Sequence, residues 1–165
     1  MNKTENTTVE IVLVNLGNTG QFKYYDIQDI EDIKTAYEDM RKVFNADEIE
    51  IQGLSHSDRL VESLWEMLEL KEETETDLQD IINIYEAVGC MSATQEAIKE
   101  GVYYYIDARD KEGAFIQYLE DINYFEGIPQ RVINYLNYRM LMQDFQYEGL
   151  IIEQIGYTDT YLFVG

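Results

Sequence analysis

The sequence predicts an α+β fold in which small mixed modules of strand and helix flank a central helical module. Alternating apolar residues in the first and last thirds are typical of strands, whereas the apolar residues of the middle third recur at helical spacing. Hydrophobic residues make up 45% of the 165 residues and aromatic residues 13%, which is enough apolar material for packed cores.

The first third predicts a hairpin, a helix and a returning strand. Residues 9–16 (VEIVLVNL) and 22–27 (FKYYDI) are typical of strands, and the glycine-rich segment between them is typical of a turn. A helix is expected over residues 29–44, because its apolar residues recur every three or four positions. Residues 47–53 alternate between polar and apolar and predict a further strand of the same sheet.

The middle third predicts three helices. Ser55 and Asp58 have the spacing of a capping box, and a helix is expected over residues 58–72. The same signal at Thr74 precedes a second helix over residues 75–88. A third, short helix is expected to begin near Ser92 and to stop at Gly101.

The last third returns to mixed structure. Residues 102–106 (VYYYI) predict a strand, and Asp107 is in position to cap a helix that runs to Asn123. Pro129 favours the first turn of another helix, which is expected to reach Met142. Closing strands are expected over residues 150–155 and 161–164. These changes of pattern divide the chain into an N-terminal α+β domain (residues 1–54), a central helical domain (55–101) and a C-terminal α+β domain (102–165).

The charge balance indicates a cationic partner. The chain has 33 acidic and 12 basic residues, a formal net charge of -21. Such a charge repels nucleic acid and anionic membranes, so neither is expected as a partner, and it destabilises the compact state by self-repulsion. The open alternative is a protein that is acidic only for solubility or for life in high salt.

No pattern of residues predicts an enzyme, a cofactor or a metal site. His56 is the only histidine and lies beside a predicted helix start, and Cys90 is the only cysteine and is expected to be buried. Residues 107–113 (DARDKEG) resemble a calcium loop, but the first and last ligand positions would then fall on Ala108 and Leu119. The polar N-terminus, the absence of a long apolar run and the lone cysteine favour a cytoplasmic location.

The spacing of the acidic residues predicts a surface that imitates DNA phosphates. Glu62, Glu66, Glu69 and Glu73 follow a 4-3-4 pattern, which places them on one helix stripe with a carboxylate about every 5.5 Å. B-DNA carries one charge per roughly 1.7 Å of its axis, so several such helices side by side would approach its charge density. The alternative is that the stripe is an ordinary solvated face.

We expect three groups of carboxylates to stand in for phosphates, each contributing to a summed effect. The first group lies in the middle third and comprises Glu62, Glu66, Glu69, Glu73, Asp77 and Asp80. The second lies on the first predicted helix and comprises Asp29, Glu31, Asp32, Glu38 and Asp39. The third lies in the last third and comprises Asp110, Glu112, Glu120 and Asp121.

The order of segments resembles the ArdA family of antirestriction proteins over nearly the whole chain. The resemblance lies in residues 12–22 (VLVNLGNTGQF), 63–70 (SLWEMLEL), 103–107 (YYYID) and 127–149 (GIPQRVINYLNYRMLMQDFQYEG), followed by a short terminal hairpin. Its individual motifs are loose, and its strength lies in their order together with length and charge.

The resemblance implies an elongated homodimer that imitates bent B-DNA. Such proteins are carried by mobile elements and bind type I restriction-modification enzymes in place of DNA, so that incoming DNA escapes host defence. The family forms its dimer through the C-terminal domain, which here implies an interface within residues 102–165. A dimer would carry twice the charge of -21, equivalent to about 70 Å of duplex.

Two other classes of function remain open. One is an acidic adaptor, or an inhibitor of another DNA-binding defence nuclease such as a CRISPR effector, without strict duplex mimicry. The other is an acidic enzyme that uses carboxylates or a divalent cation. An enzyme predicts that one or two carboxylate substitutions abolish activity, whereas a mimic predicts a graded loss.

Overall fold

The computed structural model describes residues 6–165 and confirms the mixed α+β architecture. This described part contains eight helices and two three-stranded antiparallel sheets. The expectation of a polar N-terminus without an apolar segment falls partly on residues 1–5, which lie outside the described residues.

The first sheet and its helix match the sequence pattern closely. Strand β1 (Val9–Asn15) lies between β2 (Phe22–Ile27) and β3 (Ile49–Gly53), and helix α1 (Ile30–Phe44) connects β2 to β3. The predicted hairpin is confirmed, because β1 and β2 pair antiparallel from Val9 opposite Ile27 to Val14 opposite Phe22. β1 is the central strand and pairs with both neighbours, and Val9, Ile11 and Leu13 on one of its faces are fully buried.

The central helices are α2 (Asp58–Glu62), α3 (Leu64–Thr74), α4 (Leu78–Val88) and α5 (Met91–Glu100). The prediction of one helix over residues 58–72 is wrong, because Ser63 interrupts it. Its φ of -95° and ψ of 2° are not helical, and its N–H donates to the carbonyl of Leu60 at 3.0 Å.

Two predicted caps of the central helices are displaced. Ser57, rather than Ser55, caps α2 by accepting a hydrogen bond from the N–H of Leu60. The helix expected from residue 75 begins at Leu78, because Glu75 adopts a left-handed conformation with φ 55° after α3 ends. The stop at Gly101 is confirmed, and its φ of 67° explains the glycine.

The second sheet has the strand order β4-β6-β5, where β4 is Tyr103–Asp107, β5 is Ile151–Gln154 and β6 is Thr160–Val164. Between β4 and β5 lie α6 (Lys111–Asp121), α7 (Gln130–Ile133) and α8 (Tyr138–Tyr147).

Two expectations for the helices of this region are wrong. Asp107 does not cap α6, because its carboxylate accepts a hydrogen bond from the hydroxyl of Thr160, and Asp110 is the cap. The single helix expected after Pro129 is divided into α7 and α8, because Asn137 starts a new helix by capping the N–H of Met140.

The apolar core forms two clusters that meet at β6. The larger cluster joins the first sheet and α1 to the central helices, and it includes Leu162 and Val164. The smaller cluster contains Phe115 of α6 together with Tyr161 and Phe163. The alternating side chains of β6 therefore pack against the central helices on one face and against α6 on the other. The division into three domains stays a prediction.

Candidate partner-binding surface

The acidic residues of the central helices receive almost no compensation from cations. Ten acidic and two basic residues lie between Asp58 and Glu86. Lys71 donates from Nζ to the backbone carbonyl of Gln28 at 2.8 Å. Arg59 donates to the carbonyl of Gly89, and its guanidinium lies 5.9 Å from the ring centroid of Tyr85. Both cations are thus used to tie segments together, and neither forms an ion pair with a carboxylate of the described chain.

The predicted stripe of four glutamates is exposed but is divided between two helices. Glu62 is the last residue of α2, whereas Glu66, Glu69 and Glu73 lie on α3. All four are exposed. The expectation that they share one uninterrupted helix is corrected by the break at Ser63, which separates Glu62 from the other three.

Two of these glutamates have a partner. Glu69 accepts a 2.9 Å hydrogen bond from Nε1 of Trp65, and Glu73 lies 3.0 Å from Nζ of Lys99. The Glu73 pair is exposed and is therefore worth little energetically. Within residues 6–165, the carboxylates of Glu62 and Glu66 have neither an ion pair nor a hydrogen bond.

The two aspartates near the start of α4 differ in their surroundings. Asp77 occupies the N-cap position, but its exposed side chain makes no capping hydrogen bond. Asp80 is half-buried, and its Oδ1 accepts a 2.8 Å hydrogen bond from the hydroxyl of Tyr105 on β4. A strand of the second sheet therefore fixes the position of a carboxylate on a central helix.

Helix α1 uses two of its five predicted phosphate mimics for its own cap. The carboxylate of Asp29 accepts from the N–H groups of Glu31 and Asp32, and that of Asp32 accepts from the N–H of Asp29 at 3.3 Å and from that of Gln28 at 2.9 Å. These contacts form a capping box, so both carboxylates hold the start of the helix.

Two of the three remaining acidic residues of α1 form ion pairs with lysines. Glu31 is 3.3 Å from Nζ of Lys34, and Asp39 is 2.5 Å from Nζ of Lys23. Glu38 is exposed. Since α1 also carries Arg41 and Lys42, its surface has mixed charge and imitates phosphates less well than the central helices do.

The acids of the last third have four different roles. Asp110 caps α6 through the N–H of Gly113 at 2.8 Å, and Glu112 lies 3.8 Å from Nε of Arg139. Glu120 is exposed on α6. Asp121 accepts hydrogen bonds from the hydroxyl of Tyr104 at 2.6 Å and from Nε2 of Gln117 at 2.9 Å. The structure does not gather these four carboxylates into one cluster of unpartnered groups.

Tyrosine hydroxyls hold three of the predicted carboxylates, a feature that the sequence reasoning missed. The pairs are Tyr25 with Asp39, Tyr105 with Asp80 and Tyr104 with Asp121. The contact with Lys23, followed by that with Tyr25, lowers the pKa of Asp39. The hydrogen bond from Tyr104 likewise lowers the pKa of Asp121, so both aspartates remain ionised at neutral pH. The run Tyr103–Tyr105 is the sequence signal for two of these contacts. Because side chains alternate along a strand, neighbouring hydroxyls point to opposite faces, where Tyr104 reaches Asp121 and Tyr105 reaches Asp80.

His56 and Cys90 both lie at helix starts, His56 just before the cap of α2 and Cys90 at the start of α5. Nδ1 of His56 lies 2.8 Å from Oγ of Ser55, which also accepts a hydrogen bond from the N–H of Glu10. The expectation that Cys90 is buried is wrong: it is exposed at the N-cap position of α5, where a hydrogen bond with Ser92 lowers the pKa of its thiol. Cys90 thus lies in the short connection between Gly89, the C-cap of α4, and the first residue of α5.

A cleft of about 570 Å³ lies between the start of α6 and α8. Its carboxylates belong to Asp110 and Glu112, which respectively cap α6 and face Arg139. Among residues 6–165, no group of three or more His, Cys, Asp or Glu side chains is placed to hold a metal ion. No helix in the same part of the chain has the length and apolar character needed to cross a membrane.

Comparison with known proteins gives no relative from which a function could be transferred. No protein-family model, curated protein or solved structure matches the chain. The arrangement of side chains is therefore the basis for a functional proposal.

Proposed function

We propose that this chain is a non-enzymatic mimic of DNA that inhibits type I restriction-modification enzymes by occupying their DNA-binding site. The observation that carries the proposal is the uncompensated charge of the central helices between Asp58 and Glu86. Both cations of this segment bind backbone carbonyls, and nine of its ten acidic residues are exposed, while Asp80 is half-buried. Like charges this close destabilise a monomer, and a basic DNA-binding surface would relieve that cost.

The order of segments supports the choice of target, because it resembles that of the ArdA family. A target that binds DNA by neutralising phosphates would meet a comparable row of carboxylates on α3 and α4. Binding would be electrostatically steered and would weaken as salt is added. The carboxylates of Glu62, Glu66 and Asp77 support this role best, because they are exposed and, among residues 6–165, neither cap a helix nor form an ion pair.

The proposal includes a homodimer formed through residues 102–165. Helices α7 and α8 bury no residue in the single chain. The exposed apolar side chains of this region include Val132 on α7 at 47%, Met140 on α8 at 62%, and Tyr135 between the two helices at 90%. Such a surface on an otherwise acidic protein favours burial against a second copy. The dimer would extend the anionic surface over a longer stretch of the target.

The test is DNA cleavage by a purified type I restriction-modification enzyme, titrated with this protein at near-physiological salt. We expect cleavage to be lost near one dimer per enzyme and to be restored by excess target DNA. As a control, excess unlabelled DNA should inhibit cleavage of the labelled substrate by the same enzyme. If cleavage is unchanged by this protein while that control works, the proposed target is wrong. The remaining candidates would then be another DNA-binding defence nuclease or a basic client of an acidic adaptor.

A further inference from the structure

The outer face of the first sheet, opposite the buried face of β1, exposes aromatic side chains. Phe22 and Tyr24 of β2 point to this side and are 45% and 62% exposed. Their rings pack edge to face, with centroids 5.7 Å apart. In the register of the sheet, Val12 of β1 lies directly opposite Tyr24, and Val14 lies opposite Phe22. We call Val12, Val14, Phe22 and Tyr24 the outer apolar patch.

Three carboxylates lie on the same face as the outer apolar patch. Glu10 of β1 is directly opposite Asp26 of β2, and Glu50 of β3 is opposite Val14. All three are exposed, and within residues 6–165 none of their carboxylates has a cationic partner. Like charges directly across an antiparallel pair destabilise a sheet. The Glu10–Asp26 pair therefore lowers the stability of the free protein, and a bound cation would remove this cost.

The strands of the first sheet supply no cation to this face. Lys23 is the only basic residue in β1, β2 and β3, and alternation places it on the opposite face. There its ammonium group binds Asp39 of α1. The outer face is thus both aromatic and anionic, a combination that is complementary to the planar cation of an arginine side chain.

We propose that the outer face of the first sheet docks an arginine-bearing segment of a partner protein. A planar guanidinium stacks on an aromatic ring and can simultaneously donate hydrogen bonds to carboxylates. Phe22 and Tyr24 offer the rings, while Glu10, Asp26 and Glu50 surround them with acceptors. A lysine ammonium matches this surface less well, because it is a strongly hydrated point charge without a flat face. This inference does not depend on the proposed DNA mimicry, which rests on other residues.

Charge also argues against a second copy of this chain as the occupant. A twofold contact through this face would bring the Glu10 and Asp26 carboxylates of one copy close to those of the other. Repulsion between like charges across an interface opposes such a contact. An arginine-bearing segment is instead attracted by the same carboxylates.

The experiment measures binding of two fluorescent peptides to the full chain by anisotropy, one of alternating glycine and arginine and one of alternating glycine and lysine. We expect the arginine peptide to bind roughly threefold to tenfold more tightly than the lysine peptide. Nuclear magnetic resonance should place the largest shifts caused by the arginine peptide at Val12, Phe22 and Tyr24. Equal affinities, or shifts centred on α3, would overturn the proposal.

Two pairs of variants separate stacking from charge. Tyr24→Thr should abolish the preference for arginine, whereas Tyr157→Thr, the same change at a fully exposed position of the β5–β6 turn, should keep it. Threonine is compatible with a strand, so β2 should persist. The triple variant E10Q/D26N/E50Q should bind both peptides more weakly than E96Q/E153Q/D159N, which removes the same charge from other exposed positions.

The same variants test the competing occupant. If Tyr24→Thr dissociates a dimer of the wild-type chain in sedimentation velocity, the patch belongs to an interface between copies and the proposal fails. Equal peptide binding by the two triple variants would also contradict it, even if Tyr24→Thr did not fold. None of these measurements uses a restriction enzyme, so failure of the proposed function and failure of this inference are distinguishable.

Discussion

The hydroxyl of Tyr105 on β4 donates a 2.8 Å hydrogen bond to Oδ1 of Asp80 on α4. Tyr105 also accepts a hydrogen bond from Nδ2 of Asn83, one turn further along the same helix. The second sheet thereby orients a carboxylate of the central acidic segment. An acid that is already held in place loses less side-chain entropy when a partner binds.

Substitution Tyr105→Phe should therefore weaken inhibition and reduce the stability of the fold. We expect the free energy of unfolding to fall by about 1–3 kcal/mol, because the hydroxyl's hydrogen bonds with both Asp80 and Asn83 are lost. Urea denaturation and the inhibition titration measure the two effects. Tyr157→Phe, at a fully exposed position, should change neither. Unaltered inhibition by Tyr105→Phe would show that the position of Asp80 is irrelevant to binding.

Tyr104→Phe should raise the pKa of Asp121 toward the ordinary aspartate value. The hydrogen bond from Tyr104 lowers that pKa in the folded protein. A lowered carboxyl pKa stabilises the fold above the unfolded-state value of about 3.9, and this contribution is lost as the pH falls through the folded pKa. Carboxyl carbon resonances measured between pH 2 and 6 follow the titration directly. Tyr124→Phe serves as the control, and an identical Asp121 titration in Tyr104→Phe would contradict the assignment.

Short-range patterns predicted the strands and α1 because their apolar side chains alternate or recur with a fixed period. Caps were predicted less well, because the partner of a polar side chain depends on tertiary structure. Ser55 binds the N–H of Glu10, which is 45 residues away, and this leaves the capping of α2 to Ser57. Asp107 is likewise bound by Thr160 across the second sheet.

The predicted phosphate mimics were chosen by charge and spacing alone, and the structure distinguishes among them by their contacts. Asp29, Asp32 and Asp110 cap helices, whereas Glu62 and Glu66 face solvent. Spacing along a helix cannot reveal that a lysine such as Lys71 binds a distant carbonyl instead of a neighbouring glutamate. That distinction requires the packing of α3 against α1, where the rings of Trp65 and Tyr37 meet edge to face.

Removal of charges from the central helices should weaken inhibition step by step. We expect E66Q, E62Q/E66Q and E62Q/E66Q/D77N each to lose about 0.2–1 kcal/mol of binding free energy per charge at low salt. The salt dependence should become shallower in the same order, because fewer charges take part. Inhibition titrations at several salt concentrations give both quantities.

The matched control for this series removes charges from another surface. E48Q, E48Q/E153Q and E48Q/E153Q/D159N have the same net charges as the three test variants, and all three positions are exposed and lie outside the central helices, α7 and α8. These controls should inhibit nearly as well as the wild type. Complete loss of inhibition in E66Q alone would indicate an essential single group, as in an enzyme, and would contradict a summed electrostatic effect.

Gly53→Ala should destabilise the junction between β3 and α2. A Cβ atom at this position would lie 2.0 Å from the backbone oxygen of His56, so the backbone itself would have to move. We expect a loss of about 1–3 kcal/mol in the free energy of unfolding. Gly20→Ala, whose new Cβ would come no closer than 3.4 Å to Asn18, is the control. Thermal denaturation of both variants checks the expectation, and equal stability of the two would refute it.

Val132→Asp should convert the proposed dimer into a monomer without unfolding the chain. Val132 is 47% exposed on α7, so aspartate is compatible with the single chain but not with an apolar interface. Sedimentation velocity and circular dichroism measure the two properties. Val43→Asp, at a 55% exposed position on α1, should leave the dimer intact. A dimer that persists in Val132→Asp would place the interface elsewhere.

The central claim is that the acidic surface and DNA compete for one site, and equilibrium competition tests it most directly. A fluorescent duplex containing the recognition sequence is bound to a purified type I enzyme and titrated with this protein at constant salt. Full displacement is predicted, with a midpoint that rises in proportion to the free DNA concentration. A stable complex that contains enzyme, duplex and this protein together would contradict the account.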